Sequence, residues 1–418
     1  MTGRVLELRG LVLRACLPGA RAGDVCAVER PDGTHLFCEV VGFREDEVVL
    51  MPLGEVRGIG PDAAVVPTGR AFQIACGEGL LGRVLDGLGA PIDGRPLPPG
   101  LEPWDVDRPA PAPLARRRVE RPLSLGVRAI DGLCTVGQGQ RLGLFAGSGV
   151  GKSVLLGQIA RQAAADVIVI CLCGERGREV GEFLEESLGA AGLERAVVVC
   201  ATSDAPALVR LRSVLVATSI AEWFSSRRHA RVLLLVDSVT RFARAQREVG
   251  LAAGEPPARQ GYPPSVFAAL PRLLERAGDG GAGSITAIYT VLVAGGDLEE
   301  PIADEVRGIL DGHVILSREL AQAGHFPAID VLASLSRVMS QVADADHQRA
   351  AARVRALLAA HERRRDLISL GAYVRGTEPL VDQAIDRQEE LLALLRQGPH
   401  DHVPLEVTRT RLVDSFSR

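Results

Sequence analysis

Residues 146–153 read AGSGVGKS, and this short segment constrains the fold of the chain more than any other feature. It follows an apolar run at 141–145 and precedes residues 154–163, whose apolar positions recur with the period of a helix. Its spacing is that of a phosphate-binding loop in which Ala146 replaces the first glycine. Because such a loop joins a strand to a helix, the segment predicts an α/β fold that binds a nucleotide.

The residues of this loop have separate tasks in a nucleotide site. Glycines at 147, 149 and 151 allow a tight turn that directs backbone N–H groups at the phosphates. The Lys152 ammonium can reach the β- and γ-phosphates, and the Ser153 hydroxyl can bind Mg²⁺, which is the cofactor we expect. The predicted nucleotide-binding residues of this segment are Gly147, Ser148, Gly149, Val150, Gly151, Lys152, Ser153 and Val154.

Composition and charge exclude several classes of protein. The chain has 418 residues, of which 47% are hydrophobic and 24% charged, so it can form two or three domains with a substantial core. A net charge of −4 gives no sign of general nucleic-acid binding. No apolar run approaches the ~20 residues that span a bilayer, and none near the N-terminus has the length of a signal peptide. We therefore expect a cytosolic protein with no nucleic-acid partner.

The eight cysteines include no Cys-x-x-Cys pair, which disfavours a zinc site. Cys171 and Cys173 lie two residues apart in an apolar run, so a strand would place both side chains on one face. We interpret them as small buried hydrophobic residues in a reducing cytosol rather than as a redox pair.

Three patterns along the chain predict three domains. Residues 1–75 contain short β-rich runs separated by Gly, Pro and Asp, which is typical of a small N-terminal β-barrel. Residues 76–345 begin with an irregular connection and continue with Val-, Leu- and Ile-rich runs that alternate with helical patterns. These runs predict parallel strands covered by helices on both faces. Residues 346–418 are rich in helical patterns and form the predicted C-terminal helical domain.

Two acidic residues that follow apolar runs are candidates for a hydrolysis site. Asp237 ends the run 232–237, as a Walker B carboxylate that holds the Mg²⁺ shell would, with a strand-end cap as the alternative. Glu175 follows the run 166–173, where a carboxylate just past a neighbouring strand can orient and polarise the attacking water. Arg337 is a candidate arginine finger, although spacing alone does not assign that role.

Several segments together carry the pattern of one known family. Residues 261–278 read GYPPSVFAALPRLLERAG, and residues 324–339 read GHFPAIDVLASLSRVM. PLGEVRGIG at 52–60 and GEGLLGRVLDGLG at 77–89 extend the match over nearly the whole chain. The sequence resembles the type III secretion ATPases. That family includes the flagellar export ATPase and its injectisome relative, and it is related to the catalytic subunit of rotary ATP synthases.

The resemblance implies a role for each matching residue of the hydrolysis site. Lys152 and Ser153 are implied to bind phosphate and Mg²⁺, and Asp237 is the implied Walker B acid. Glu175 is implied to be the catalytic carboxylate, and Arg241 is implied to lie near the γ-phosphate.

Four further positions or segments follow from the same resemblance. Arg337 is implied to be the arginine finger that reaches into the adjacent subunit. Phe326 stands where the family usually has an adenine-stacking tyrosine, and its ring keeps the stacking surface. The family tolerates alanine at the position of Ala146. VAGGD at 293–297 departs from the family's acid-rich EGDD, which leaves the role of that loop open.

The resemblance also implies an architecture and a set of partners. The nucleotide domain is implied to be a RecA-like P-loop domain between the barrel and the helical domain. The implied activity is that of an ATP-hydrolysing motor for chaperone release, unfolding and export of proteins, located at the cytoplasmic face of the inner membrane. The implied partners are a stalk protein, a stator-like negative regulator, chaperone–cargo complexes and the export gate.

One inference about assembly is independent of the family. The chain carries Glu175 and Asp237 for one side of an interface site and Arg337 for the other. Identical chains with both halves can close a ring through head-to-tail contacts, so we predict a homohexamer.

The alternatives differ in the machine that the ATPase would serve. The injectisome branch is favoured by the segments PLGEVRGIG at 52–60 and VPTGR at 66–70, and a flagellar export ATPase is the alternative. A rotary ATP synthase catalytic subunit, a ring translocase on nucleic acid and an inactive nucleotide-binding scaffold are less favoured.

Overall fold

The first six strands form a closed antiparallel barrel in the computed structural model, which describes residues 2–417. Alternate side chains along the strands point inward, and Leu13, Cys26 and Leu50 are completely buried in the barrel core. The strands are β1 Gly3–Arg9, β2 Val12–Cys16, β3 Val25–Glu29, β4 His35–Arg44, β5 Glu47–Pro52 and β6 Ala64–Pro67. Their order around the barrel is β1-β2-β5-β4-β3-β6.

The connection after the barrel is more regular than its sequence indicates. It contains β7 (Gln73–Cys76), β8 (Arg83–Asp86) and β9 (Glu102–Asp105). Strands β7 and β9 pair with each other, whereas β8 joins one edge of the central sheet. The connection therefore links the barrel to the central domain, because its strand β8 is part of the central sheet.

A nine-stranded sheet forms the centre of the molecule, and its core strands are parallel as the Val-, Leu- and Ile-rich runs predict. The remaining strands are β10 Pro122–Leu123, β11 Val136–Gly137, β12 Arg141–Ala146, β13 Val167–Glu175, β14 Ala196–Thr202, β15 Arg231–Asp237, β16 Gly278–Asp279, β17 Ser284–Leu292, β18 Gly312–Leu316 and β19 Ile329–Ser336. Across the sheet the order is β19-β18-β12-β17-β15-β13-β14-β8, with β16 beside β17 and with β10 and β11 paired separately. Only β19 and β16 run antiparallel to their partners within this sheet.

Helices cover both faces of this sheet. Those of the nucleotide domain are α1 Arg128–Leu133, α2 Lys152–Gln162, α3 Gly177–Glu182, α4 Gly189–Glu194, α5 Ala207–Arg227, α6 Val239–Ala252, α7 Pro264–Leu274, α8 Pro301–Ile309 and α9 Arg318–Gln322. Those that follow the sheet are α10 Met339–Val342, α11 Ala345–Ser369, α12 Pro379–Asp386, α13 Gln388–Leu395 and α14 Leu405–Phe416. None of the helices within residues 2–417 combines the length and apolar character needed to cross a bilayer.

Strand β13 shows how one apolar run serves two cores. Val169, Cys171 and Cys173 pack under α5 and α6, whereas Ile168 and Ile170 pack under α2 on the other face. Burial raises the pKa of both cysteine thiols, which agrees with their interpretation as buried hydrophobic residues. The predicted fold class, a barrel followed by an α/β nucleotide domain and C-terminal helices, is confirmed.

A buried ion pair fastens the barrel to the nucleotide domain. Arg212 on α5 is 4% exposed, and its Nε lies 2.9 Å from Glu39 Oε2 on barrel strand β4. The same guanidinium lies 2.7 Å from Asp107 Oδ1 in the connection. Burial raises the pKa of Glu39, and the positive charge of Arg212 opposes that rise.

We expect Arg212→Met to lower the free energy of unfolding by about 3 kcal/mol, because it leaves the Glu39 carboxylate buried without its partner. The double variant Arg212→Met, Glu39→Leu should lose less than the single variant, since the only carboxylate left without Arg212 is then Asp107, which is about half exposed to solvent. Urea unfolding followed by circular dichroism measures both values. Arg178→Met, which removes an exposed pair with Glu182, is the matched control. Equal losses in the single and double variants would show that the buried charge is not the cause.

Candidate active site

The phosphate-binding loop lies between β12 and α2, as the sequence predicts. Strand β12 ends at Ala146, and α2 begins at Lys152. Gly149 and Gly151 have φ angles of 76° and 85°, a left-handed conformation that glycine adopts without strain. The loop therefore leads into the N-terminus of an eleven-residue helix, whose unpaired N–H groups and dipole favour a bound phosphate.

The two predicted acids lie at the same edge of the sheet as the loop. Glu175 is the last residue of β13 and Asp237 the last of β15, and both strands run parallel to the loop strand β12. Strand β17 lies between β12 and β15, so Glu175 is farther from the loop than a neighbouring strand would place it. Lys152 spans the gap: its Nζ is 2.6 Å from Asp237 Oδ2 and 3.4 Å from Glu175 Oε1.

Glu175 is held from two sides. One carboxylate oxygen faces Lys152, and Arg241 Nη2 lies 3.0 Å from the other, Oε2. Arg241 also donates a hydrogen bond to the carbonyl of Gly174. Burial, and then the negative charge of Asp237, raise the pKa of Glu175 to about 7. A carboxylate with this pKa is suited to accept a proton near neutral pH.

A cavity of about 450 Å³ opens between the loop and Glu175, whereas Asp237 is buried and does not line it. Outside the loop it is lined by Glu175, Arg176, Glu179, Arg241, Arg244, Leu292, Val293 and Glu300. Of the eight predicted loop residues, seven line this cavity, and Val150 lines the cavity described next. Lys152, Arg176, Arg241 and Arg244 bring positive charge to the walls of this cavity, which suits a bound triphosphate.

A second cavity of about 310 Å³ adjoins the first and has mostly apolar walls. It is lined by Val150, Gly151, Val154, Leu155, Gln158, Leu316, Phe326, Pro327, Ala328, Gln397 and Pro399. The Phe326 ring is 47% exposed and lies about 3.5 Å from the position that a Cβ on Gly151 would occupy. Because Gly151 and Val154 line both cavities, a flat apolar ring can lie beside Phe326 while its phosphates follow the loop.

The C-terminal helices contribute to this second cavity, which sequence reasoning missed. Gln397, between α13 and α14, donates its backbone N–H to the Phe326 carbonyl at 3.0 Å. Its side chain donates to the Gly126 carbonyl at 2.7 Å and accepts from the Arg128 N–H at 2.8 Å. No motif marks Gln397, and its partners lie far away in sequence, so only the packing of the helices reveals it.

Thr290 is a second residue that sequence reasoning missed. It is completely buried on β17, and its hydroxyl donates to Asp237 Oδ1 at 2.7 Å. No local sequence signal marks it, because its position depends on the register of β17 beside the strand that ends in Asp237.

Arg337 is the one predicted site residue that the structure places elsewhere. It directly follows Ser336, which pairs with Gly312 at the start of β18, whereas Ala146 pairs with Leu316 at the end of that strand. Gly312 and Leu316 are four residues apart along β18, which is about 13 Å along the strand. Arg337 is exposed, and its guanidinium lies 3.5 Å from the Arg307 carbonyl rather than near the phosphate-binding loop. Within one chain, it does not face the loop.

Three family models match the chain. Residues 5–69 match the ATP synthase alpha/beta family beta-barrel domain, and residues 126–336 match the nucleotide-binding domain of that family. Residues 343–414 match the T3SS EscN ATPase C-terminal domain.

Characterised relatives cover almost all of the chain. A type 3 secretion system ATPase of Xanthomonas euvesicatoria is 53% identical over 99% of this chain and 94% of its own length. A flagellum-specific ATP synthase of Bacillus subtilis is 50% identical over 97% of this chain and 92% of its own length. The assembled ATPase EscN of enteropathogenic E. coli, solved in complex with its central stalk EscO, is 46% identical with full coverage of both chains and a TM-score of 0.92.

The raised pKa of Glu175 predicts a stability that depends on pH. Between about pH 4.5 and pH 7 the folded protein keeps a proton that the unfolded chain releases, so the free energy of unfolding falls as the pH rises through this window. Glu175→Gln removes this titration. Without nucleotide, wild type should therefore lose stability relative to Glu175→Gln between about pH 4.5 and pH 7.

Urea unfolding of both proteins across this pH range measures the effect. The matched control is Glu186→Gln, which changes an exposed carboxylate outside the cavity. The same pH dependence in Glu175→Gln and the control would contradict the assignment of the titration to Glu175.

Proposed function

Because the chain belongs to the type III secretion and flagellar export ATPases of the ATP synthase alpha/beta family, we propose that it is the homohexameric motor of a type III protein secretion apparatus. The chain is an ATPase. The observation that best supports our assignment of its hydrolysis site is the meeting of Lys152, Glu175 and Asp237 at one sheet edge.

Each residue of this cluster has a role in the proposed hydrolysis. The backbone N–H groups of the loop and Lys152 hold the β- and γ-phosphates of ATP, and Phe326 stacks on the adenine. Glu175 orients a water molecule in line with the γ-phosphorus and takes one of its protons. The water oxygen bonds to the γ-phosphorus as the bond to the β–γ bridging oxygen breaks, which yields ADP and inorganic phosphate. Arg241 keeps the Glu175 carboxylate in place.

The residues at the loop fit a magnesium ion. The Ser153 hydroxyl and the Asp237 carboxylate are the hard oxygen ligands that Mg²⁺ prefers, either directly or through water. Residues 2–417 hold no cluster of three or more His, Cys, Asp or Glu that would form an all-protein metal site. This agrees with Mg²⁺, which is commonly held by one or two carboxylates and the phosphates of the substrate. When bound, the ion neutralises charge on the β- and γ-phosphates.

The position of Arg337 supports a site that two subunits share. Its guanidinium lies at the sheet edge opposite its own loop, so within one chain it is far from the γ-phosphate. In a head-to-tail ring the same residue faces the loop of the next subunit, where it stabilises charge that develops on the phosphate. The relative EscN was solved in an assembled form. We therefore propose that the hexamer, rather than the single chain, is the competent enzyme.

We propose that this ATPase serves an injectisome. This assignment is supported by the sequence segments 52–60 and 66–70 and by the full-length similarity to EscN. Flagellar relatives have comparable identity, so a flagellar export ATPase is the alternative. Neighbouring genes for needle and secretin components would favour the first, and genes for flagellar rod and hook would favour the second.

The proposed partners follow from this assignment. The EscN–EscO complex supports a stalk protein as a partner of the ring. We further propose a cytoplasmic location at the inner membrane and contacts with a stator-like negative regulator and the export gate. The C-terminal helices α11 to α14 are the proposed docking region for chaperone–cargo complexes, whose release, unfolding and export ATP hydrolysis would drive.

Glu175→Gln should leave ATP binding and assembly intact but lower the rate of hydrolysis by at least about a hundredfold, because an amide does not accept the proton of water. Phosphate release measures turnover, and a fluorescent ADP analogue together with sedimentation measures binding and assembly. Glu186→Gln is the matched control, and it should hydrolyse ATP like wild type. Wild-type turnover in Glu175→Gln would refute its role as the base.

Arg337→Ala should remove the gain in specific activity that accompanies assembly as protein concentration rises. Turnover at high concentration should fall on the order of a thousandfold, since a finger arginine acts on the transition state. Arg363→Ala changes an exposed arginine on α11 and serves as the control. Phosphate release across a dilution series measures the effect. A wild-type dependence on concentration in Arg337→Ala would exclude the finger role.

A further inference from the structure

Strand β17 lies between the strand that leads into the phosphate loop and the strand that ends in Asp237. Its residue Thr290 pairs with Leu144 of β12 on one side. On the other side, Tyr289 pairs with Val236, which brings Thr290 level with Asp237. Thr290 is completely buried, so its hydroxyl needs a partner inside the protein.

The partner of this hydroxyl is the Asp237 carboxylate. Thr290 Oγ1 lies 2.7 Å from Asp237 Oδ1. A carboxylate accepts hydrogen bonds and does not donate when ionised, so the threonine hydroxyl is the donor. Lys152 contacts both oxygens of the same carboxylate. Among residues 2–417, Thr290 and Lys152 are the two hydrogen-bond partners of this carboxylate.

Lys152 and Thr290 differ in how rigidly each is held beside the Asp237 carboxylate. Lys152 sits on a long flexible side chain and belongs to the loop that binds phosphate, so the phosphates of ATP compete with Asp237 for its ammonium. Thr290 is fixed by the sheet and has a branched side chain with restricted rotamers. If Lys152 turns to the phosphates, as its proposed role requires, Thr290 keeps its bond to Oδ1, and Oδ2 loses its hydrogen-bond partner.

We propose that Thr290 is a positioning residue that orients the Asp237 carboxylate for the magnesium ion of the substrate complex. The inference rests on the proposed role of Asp237 in holding that ion. A hydrogen bond to one oxygen fixes the plane of the carboxylate and directs the other oxygen toward the loop. Removing a residue that hydrogen-bonds to a metal ligand, without binding the metal itself, typically lowers metal affinity about tenfold or more.

A purely structural role for Thr290 makes a different prediction. If the hydroxyl only satisfied a buried carboxylate, its removal would lower stability and leave the response to Mg²⁺ unchanged. The discriminating measurement is therefore the gain in nucleotide affinity that Mg²⁺ provides, which does not depend on turnover.

The experiment compares Thr290→Val, which keeps the shape and removes the hydroxyl, with Thr290→Ser, which keeps the hydroxyl. Binding of a fluorescent ADP analogue is titrated in the full chain with EDTA and over a range of Mg²⁺ concentrations. Thr290→Val should need about tenfold more Mg²⁺ than wild type to reach half of the affinity gain. Thr290→Ser should stay within about threefold of wild type. Thr290→Ala replaces the valine variant if that variant does not fold.

Thr218→Val is the matched control, because Thr218 is equally buried and its hydroxyl bonds only to the Val214 carbonyl within α5. It should keep the wild-type Mg²⁺ response. A wild-type response in Thr290→Val or Thr290→Ala, or a loss in Thr290→Ser as large as that in Thr290→Val, would overturn the proposal.

Asp237→Asn separates failure of this inference from failure of the proposed function. If wild type and Asp237→Asn gain the same affinity from Mg²⁺, the metal role of Asp237 is wrong, and the role of Thr290 falls with it. If Asp237→Asn loses the gain while Thr290→Val keeps it, only the inference about Thr290 is wrong.

Discussion

The ammonium of Lys152 lies between the carboxylates of Asp237 and Glu175, and the arrangement of the site depends on this cluster. Two largely buried carboxylates at one sheet edge repel each other, and the pKa of Glu175 is raised in consequence of burial and of that repulsion. A single positive charge between them limits the cost. Under the proposed role of Lys152, the phosphates of ATP would compete with both carboxylates for the same ammonium.

Parallel topology is what brings these groups together. Strands β12, β13 and β15 all end at one edge, and each ends at or next to a residue of the site. Because both faces of the sheet are buried under helices, the strand ends have little freedom to move. The same architecture puts β17 in the middle, where a threonine can hold the Asp237 carboxylate from inside the sheet.

The C-terminal helices do more than follow the nucleotide domain. Gln397 bonds to the carbonyl of Phe326, and Arg161 of α2 donates to the Pro399 carbonyl at 2.7 Å. The segment between α13 and α14 therefore contacts both the apolar cavity and the helix that begins at the phosphate loop.

Much of this protein follows from its sequence because the relevant signals are local. A glycine-rich loop between a strand and a helix identifies the phosphate site, and a carboxylate at the end of an apolar run marks each acid, so Lys152, Glu175 and Asp237 were predicted and do meet. The domain boundaries and the chemical roles of these residues remain predictions. Tertiary structure alone decided that Thr290 and Gln397 belong to the site and that Arg337 lies on the opposite edge from its own loop. The physical reason is that strand order, register and helix packing set contacts between residues far apart in the chain, and no local pattern encodes them.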